Sequence, residues 1–287
     1  MDQDAEYMWS NTDYPYMCLV DKRRTEAFRE AIHKVVKRGD VVVDVGSGTG
    51  ILALFAAEAG AANVYAVEIE HMLAGCLRRT FAGSKHQDVL AVVEGNALRV
   101  QLPAHIDVLI AEIIDTGLMD EMQVPVLNEL RQKGIIGRTT RVIPSAYQTN
   151  VELVHIDDQF YGHSIKAPKH LWPHYSLNHE EWSNPVVSVI SDKVTVVDLD
   201  LAHDINNPTV DKILTFNLPR HDKPINAVRI TGVLTLVDGI ELHEANSVNG
   251  DKVLSLPNDI PSDSGQVQLR VQYQMGGGLG SFRAVQV

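Results

Sequence analysis

The chain is short of cysteine: Cys18 and Cys76 are the only two in 287 residues. Two thiols cannot staple a fold of this size, so the sequence implies a reducing, cytoplasmic setting and no disulfide framework. Long apolar runs are also missing, and none reaches the length of a membrane span. The first residues, Met1-Asp-Gln-Asp-Ala-Glu6, are acidic where a secretory leader is basic. Positive charge is scarce: 25 Lys and Arg face 37 Asp and Glu, for a formal net charge of −12. Such a surface repels a phosphate backbone, which argues against nucleic acid as a partner and suits a cationic substrate. Neither repeats nor low-complexity linkers occur, so nothing marks a solenoid or loosely tethered modules.

What is present is a 45% hydrophobic chain long enough for two cores. The first half alternates strand and helix signals. Residues 22–37 read as a helix with Phe28, Ile32, Val35 and Val36 on one side. Strands are expected at 41–45, 63–68, 89–93 and 107–111, and helices at 50–59 and 70–80. That alternation predicts an α/β domain with a parallel sheet, over residues 1–144, whose first 38 residues form an N-terminal lid and helix. After Val142-Ile-Pro144 the pattern becomes strand-rich, at 186–190, 193–201, 212–218, 227–237 and 266–275. Residues 145–287 are therefore expected to form an antiparallel β domain, sandwich or barrel-like. Residues 159–184, rich in His, Pro and Trp, read as an inserted loop or short helical arm. His163, His170, His174 and His179 have no metal-ligand spacing and no Cys joins them, so no metal is expected. Gly276-Gly-Gly-Leu-Gly280 follows a strand with no helix behind it and reads as a flexible hairpin turn.

Two stretches carry chemistry. In Val41-Val-Val-Asp-Val-Gly-Ser-Gly-Thr-Gly50 a β-branched run ends near Asp44, and Gly46, Gly48 and Gly50 follow at alternate positions. This is a strand turning tightly into a helix, with backbone brought close to a ligand. The next strand, Val64-Tyr-Ala-Val-Glu68, ends in an acid placed to hold two ribose hydroxyls. The spacing is not that of a dinucleotide fingerprint, and an acidic lip at Asp44 suits a cation better than a pyrophosphate. The second stretch is Ile106-Asp-Val-Leu-Ile-Ala-Glu-Ile-Ile-Asp-Thr-Gly-Leu-Met-Asp-Glu-Met122. Glu112 and Glu121 flank a turn-rich loop that also carries Asp115 and Asp120. Two carboxylates converging from one loop can grip a planar guanidinium through paired hydrogen bonds.

On these residues the chain resembles the protein arginine methyltransferases, which use S-adenosyl-L-methionine as methyl donor. Four stretches carry the likeness: Leu19-Val-Asp-Lys-Arg-Arg-Thr25, Asp44-Val-Gly-Ser-Gly-Thr-Gly-Ile51, Val64-Tyr-Ala-Val-Glu68 and the Glu112–Glu121 loop with its nine-residue interval. The resemblance implies a Rossmann-like cofactor domain followed by a β-barrel-like domain. It implies that Arg24 holds the cofactor carboxylate, Glu68 the ribose, and Asp44, Gly46, Gly48 and Gly50 the methionine side. It also implies an arm-mediated homodimer, with residues 159–184 as the one candidate arm. Asn96 in Gly95-Asn-Ala-Leu-Arg99 stands nearest the adenine position, where the family has an acid. Asp115-Thr116 resembles the monomethylating branch, in which Asp replaces the Gly of dimethylating enzymes. On that basis Asp115→Gly is expected to admit a second methyl.

Three departures stand out. The Thr-His-Trp loop of the family is matched only by Asn246-Ser-Val-Asn249. The acid at adenine is missing, and the aromatic lid is echoed only by Tyr7, Trp9, Tyr14 and Tyr16. The expected activity is therefore ω-N-monomethylation of an arginine guanidino group in a protein or peptide, with free L-arginine as the alternative acceptor. For that alternative, a cation such as Arg220 or Arg283 would have to meet the α-carboxylate. Rival readings are methylation of another small amine or of a carboxylate, and a cofactor-binding scaffold without catalysis. Two acids in the acceptor pocket disfavour an anionic acceptor, and loss of either acid would have marked a dead scaffold. The bland readings remain beside these: the glycines as an ordinary turn, Glu112 and Glu121 as solvated loop acids, Arg24 as a surface cation, and Asp115 as a turn initiator.

Overall fold

A computed structural model describes residues 13–172, 185–261 and 265–287. Tyr7, Trp9, His174 and His179 fall outside the described residues, as does part of the expected arm.

The first half is a five-stranded parallel sheet in the order β3-β2-β1-β4-β5. Its strands are β1 (Val41–Val45), β2 (Asn63–Glu68), β3 (Leu90–Glu94), β4 (Val108–Ala111) and β5 (Arg141–Ile143). Each neighbouring pair runs parallel. The apolar runs of β1, β2 and β4 are buried almost throughout, as a sheet covered on both faces requires. Helices α1 (Tyr14–Val20), α2 (Lys22–Val35), α3 (Ile51–Glu58), α4 (His71–Ala82) and α5 (Gln123–Gln132) accompany it. Strand order reverses at β1, so the crevice opens over the carboxyl ends of β1, β2 and β4, where an open α/β sheet binds its ligand.

Helix α5 is not visible in the hydrophobic pattern because Pro125 looks like a breaker. Pro125 is the third residue of the helix, in the first turn, where no backbone donor is needed. Val124, Val126, Leu127 and Leu130 then supply a buried face.

The second half is antiparallel. The central strands are β6 (Ala146–Ile156), β13 (Ile225–Val237) and β15 (Asp251–Ile260), flanked by β9 (Lys169–Leu171), β10 (Val187–Val189), β11 (Val194–Asp200) and β14 (Ile240–His243). A second sheet orders β12 (Thr209–Asn217), β16 (Gln266–Gln274) and β17 (Arg283–Gln286). The β domain is thus built mainly on two antiparallel sheets that share one apolar core with the first half. Strand β6 escapes pattern reading because polar residues are buried within it. Asn150 accepts from Thr195 at 2.8 Å, and Glu152 pairs with Arg229 at 3.1 Å. In the described part of the expected arm, residues 159–172, the structure has a two-stranded hairpin, β7 (Gln159–Phe160) with β8 (His163–Ser164), and then β9; there is no helix there.

Candidate active site

The glycine loop is shaped by positive backbone angles. Gly46 (φ +72°) and Gly50 (φ +81°) lie in the left-handed region, where a side chain is strained. A Cβ on Gly46 would also stand 2.4 Å from Ile113 Cγ2, and one on Gly50 would strike Leu77 and Phe81. Glu68 braces the same loop: Oε2 accepts from the Gly48 amide at 2.8 Å and Oε1 from the Glu70 amide at 2.9 Å. A carboxylate has about four lone-pair sites, so each oxygen keeps one for a ribose hydroxyl. Burial raises the Glu68 carboxyl, and these amides oppose the rise.

Asp44 lies beneath the loop rather than at its lip. It is 1% exposed and accepts from the Ser47 hydroxyl at 2.7 Å. Burial pushes its carboxyl up to about 7. Its role is to brace the turn, and the expected contact of Asp44 with a cationic ligand is replaced by an internal one.

A cleft runs from this loop towards the β domain. It brings together Arg24, Gly46, Gly48, Glu68, Asn96, Glu112 and Glu121. Gly50 stays outside as the residue preceding α3, and Asp115 borders an adjoining pocket instead. The Asn96 side chain accepts from the Leu98 amide at 2.8 Å, which fixes the turn after β3 on the cleft wall. Tyr14 and Pro15 of α1 form part of the lining, so of the expected lid aromatics Tyr14 lies on the cleft; Tyr16 is exposed.

Arg24 reaches the cleft because Asp21 caps α2, accepting from the Arg24 amide at 3.1 Å. Asp21 also accepts from the Val248 amide at 2.8 Å, tying the cap to the β domain. The Arg24 guanidinium forks onto Glu112: Nε donates at 3.3 Å and Nη2 donates to Oε2. Nη1 donates to the Cys18 carbonyl at 3.3 Å. Both side chains of the pair are nearly buried. Burial works against the Arg24 charge, but Glu112, with Cys18 and Asp21, holds the guanidinium above its ordinary value. For Glu112, burial is the larger influence and raises the carboxyl against the pull of Arg24.

Glu121 differs. No cation pairs with its carboxylate among the described residues. Burial, then Glu112 and Asp115, push it well above the ordinary carboxylate range. It ends a tightly held loop. Leu118 sits at φ +58°, unusual for a branched residue, and its carbonyl accepts from the Gly276 amide at 3.0 Å. The Gly278 amide donates to Met119 at 2.8 Å. The glycine-rich turn between β16 and β17 thus braces the acidic loop. Asn249 does so from the other side, donating to the Ile114 carbonyl at 3.1 Å and accepting from Tyr14 at 3.2 Å. Thr116 donates to the Gly250 carbonyl at 2.8 Å.

Asp115 faces inward along the loop. Oδ1 accepts from the amides of Asp120 (2.9 Å) and Glu121 (3.0 Å), and Oδ2 from that of Met119 (3.2 Å) and from Lys252. Its observed function is to shape the loop, and Asp115→Gly would release three amides rather than simply clear space. Sequence reasoning missed Lys252, Tyr147 and Glu244. Tyr147 accepts from the Gly117 amide at 2.8 Å and donates to Glu244 at 2.6 Å. These partners are separated from the loop by up to 137 residues, so no local spacing reveals them.

The donor set fits S-adenosylmethionine. An acid stands at the end of β2 for a ribose, a glycine loop leaves room for a thin chain, and Arg24 has donors to spare for a carboxylate. Replacing Glu68 with Ala is expected to weaken binding of S-adenosylhomocysteine by about 1–3 kcal/mol, the scale of lost charge-assisted hydrogen bonds. Calorimetry giving unchanged affinity would remove Glu68 from the site.

Comparison with known proteins agrees with this assignment. Residues 24–156 match the family described as ribosomal protein L11 methyltransferase (PrmA). An uncharacterised protein of Methanocaldococcus jannaschii is 26% identical over 93% of this chain and 94% of its own length. An arginine N(omega)-methyltransferase of Streptomyces achromogenes is 30% identical over 55% of this chain and 45% of its own. A probable protein arginine N-methyltransferase 1.2 of Arabidopsis thaliana is 35% identical over 49% of this chain and 39% of its own. Among solved structures, the Trypanosoma brucei PRMT1 enzyme-prozyme complex with AdoHcy superposes with a TM-score of 0.72 at 17% identity. That match covers 100% of this chain and 98% of the other. Arabidopsis thaliana protein arginine methyltransferase 10 gives the same TM-score and identity over 96% and 97%. The chain has the two-domain fold of the solved protein arginine methyltransferases, and its residues 24–156 are similar to an S-adenosylmethionine-dependent methyltransferase family.

Proposed function

We propose that the protein methylates a terminal nitrogen of an arginine guanidino group carried by a protein or peptide, giving ω-N-monomethylarginine. The observation that carries this is the unequal pair at the inner end of the cleft. Glu112 already holds one guanidinium, that of Arg24, and Glu121 is buried beside it with no cation paired to it among the described residues. A cationic, planar acceptor satisfies Glu121 at the place where the cofactor cleft ends.

When bound, S-adenosylmethionine supplies an electrophilic methyl on a sulfonium. The protein has to supply a nucleophile, and a guanidinium is a poor one because its lone pairs are delocalised. Glu121 and the outer edge of Glu112 draw positive charge towards the nitrogens they hold. The remaining terminal nitrogen gains electron density and is kept in line for displacement, where positioning supplies much of the rate. Glu121 prefers its proton in this buried setting, so it is also placed to take the proton shed by the alkylated nitrogen.

A pocket continues past Glu121, bordered by Pro168, His170, Leu254 and Leu279. Of its two lysines, Lys252 is engaged by Asp115 and Asp120, and Lys169 donates to the Ala167 carbonyl at 3.0 Å. Arg220 is exposed, and Arg283 donates to the Gly280 and Phe282 carbonyls. Lys252 is already paired with two carboxylates, whereas Lys169 keeps donors that could meet an α-carboxylate, so the peptide acceptor rests on the likeness to the protein arginine methyltransferases. The Streptomyces relative named for arginine keeps free L-arginine as the second reading. Monomethylation rests on the Asp115 loop, whose three backbone contacts leave it little freedom to make room for a methylated nitrogen. Because one methyl in a tight pocket is worth only about 1–3 kcal/mol, discrimination should be strong but leaky.

Mass spectrometry after exhaustive reaction with an arginine-rich peptide and, separately, with free L-arginine tests both points. The expected product is monomethylated peptide. Abundant dimethylarginine would overturn the product assignment, and methylation of the free amino acid alone would overturn the peptide acceptor.

A further inference from the structure

The acidic loop owes its last turn to a cation from the other domain. Lys252 lies on β15, with its side chain 9% exposed. Its Nζ donates to Oδ2 of Asp115 and, at 2.8 Å, to Oδ2 of Asp120. Asp115 in turn receives the amides of Met119, Asp120 and Glu121. Asp120 Oδ1 receives the Leu279 amide at 2.6 Å. One ammonium therefore ends both hydrogen-bond arrays that fix the residues up to Glu121.

The arrangement is costly unless it serves something. Three buried charges need mutual compensation, and a well-packed apolar trio would hold two domains together at least as well. What an apolar trio could not do is set the charge around Glu121. The groups facing that carboxylate are Glu112 at the end of β4, Asp115 and Asp120 in the loop, and Arg24 on α2. Tyr14 and Cys18 face it from α1, Lys252 from β15, and His170 borders the same pocket from β9. Four carboxylates thus meet two cations. Without Lys252, Asp115 and Asp120 would stand uncompensated beside Glu121 and oppose its ionisation. A protonated Glu121 cannot polarise a guanidinium.

We propose that Lys252 is a positioning residue for methyl transfer: it holds Glu121 in place and offsets the charge of the two carboxylates beside it, so that Glu121 can ionise against the incoming guanidinium. This rests on the role given to Glu121 above. Lys252 borders the acceptor pocket, but its ammonium is turned to Asp115 and Asp120, and it acts on Glu121 through them.

The test is the pH dependence of turnover with S-adenosylmethionine and whichever acceptor the wild type methylates. Lys252→Met should lower kcat at least tenfold at neutral pH. It should also move the acidic limb of the kcat profile upward by about one pH unit or more, as expected for a lost neighbouring charge. Affinity for S-adenosylhomocysteine by calorimetry should stay within about twofold, which certifies the fold. Lys252→Arg keeps the charge and should keep the limb. Adding Asp120→Asn to Lys252→Met should draw the limb back. A limb and kcat unchanged in Lys252→Met overturn the proposal. If that variant does not fold, Asp120→Asn alone decides, since removing one negative neighbour should lower the limb and an unmoved limb overturns the idea. Glu121→Gln separates the two levels: full activity there defeats the reading of the site itself. An inactive Glu121→Gln with unaffected Lys252 variants defeats only the positioning role.

Discussion

Glu121→Gln is expected to lower turnover by about two to four orders of magnitude, the scale of a removed charge-stabilising or proton-accepting group. The same substitution should stabilise the fold at neutral pH. Burial holds the Glu121 carboxyl above its unfolded value, so the folded protein disfavours the ionised form. Below the ordinary carboxylate pKa, both folded and unfolded chains carry the proton and no penalty exists. The penalty grows as pH rises through that value and is complete above the raised folded value. Glutamine cannot ionise, so the variant should gain on the wild type as pH rises and lose that advantage in acid. Urea denaturation at acid and neutral pH, beside a turnover assay, checks both halves. A variant as active as the wild type, or less stable at neutral pH, would contradict the role given to Glu121.

Glu112→Gln should destabilise the fold, because stranding the Arg24 charge outweighs the relief of burying the Glu112 carboxyl. Glu112 is forked onto the Arg24 guanidinium, and both side chains are nearly buried. Removing one charge leaves the other buried and uncompensated, which costs about 3–5 kcal/mol. Arg24 lines the cofactor cleft, so S-adenosylhomocysteine affinity should change as well, unlike in Glu121→Gln. Turnover should fall with either substitution. Two acids nine residues apart in one loop would then show opposite stability effects and a shared loss of activity. Equal stability changes in the two variants would mean that the Arg24 pair does not hold in solution.

Much of the cofactor half is legible from the sequence because its signals are local. The β-branched run of β1 ends where the glycines begin, and Glu68 closes β2 at the interval a βαβ unit sets. Arg24 is also found by its motif, yet its partner is not, because Glu112 lies 88 residues away. Asp44 is misplaced by sequence reasoning for a physical reason: an acid at a strand end can face the ligand or fold under the turn, and Ser47 decides for the latter. Helix α5 hides behind Pro125, and β6 behind buried polar residues that meet side chains of other strands. The acceptor side is least legible. Asn249 and Lys252 reach the acidic loop from a domain whose sequence pattern indicates strands but not which loop they will meet.

The central claim is that Glu121 receives a guanidinium, and proton release on binding tests it most directly. Calorimetry of an arginine peptide binding to the protein with S-adenosylhomocysteine can be run in buffers of different ionisation enthalpy. The pH should lie between the ordinary carboxylate value and the raised value of Glu121. A cation arriving at Glu121 favours its ionised form, so the account predicts that protons leave the protein on binding. The release should vanish in Glu121→Gln. Binding without proton release, or release that persists in Glu121→Gln, would contradict the account.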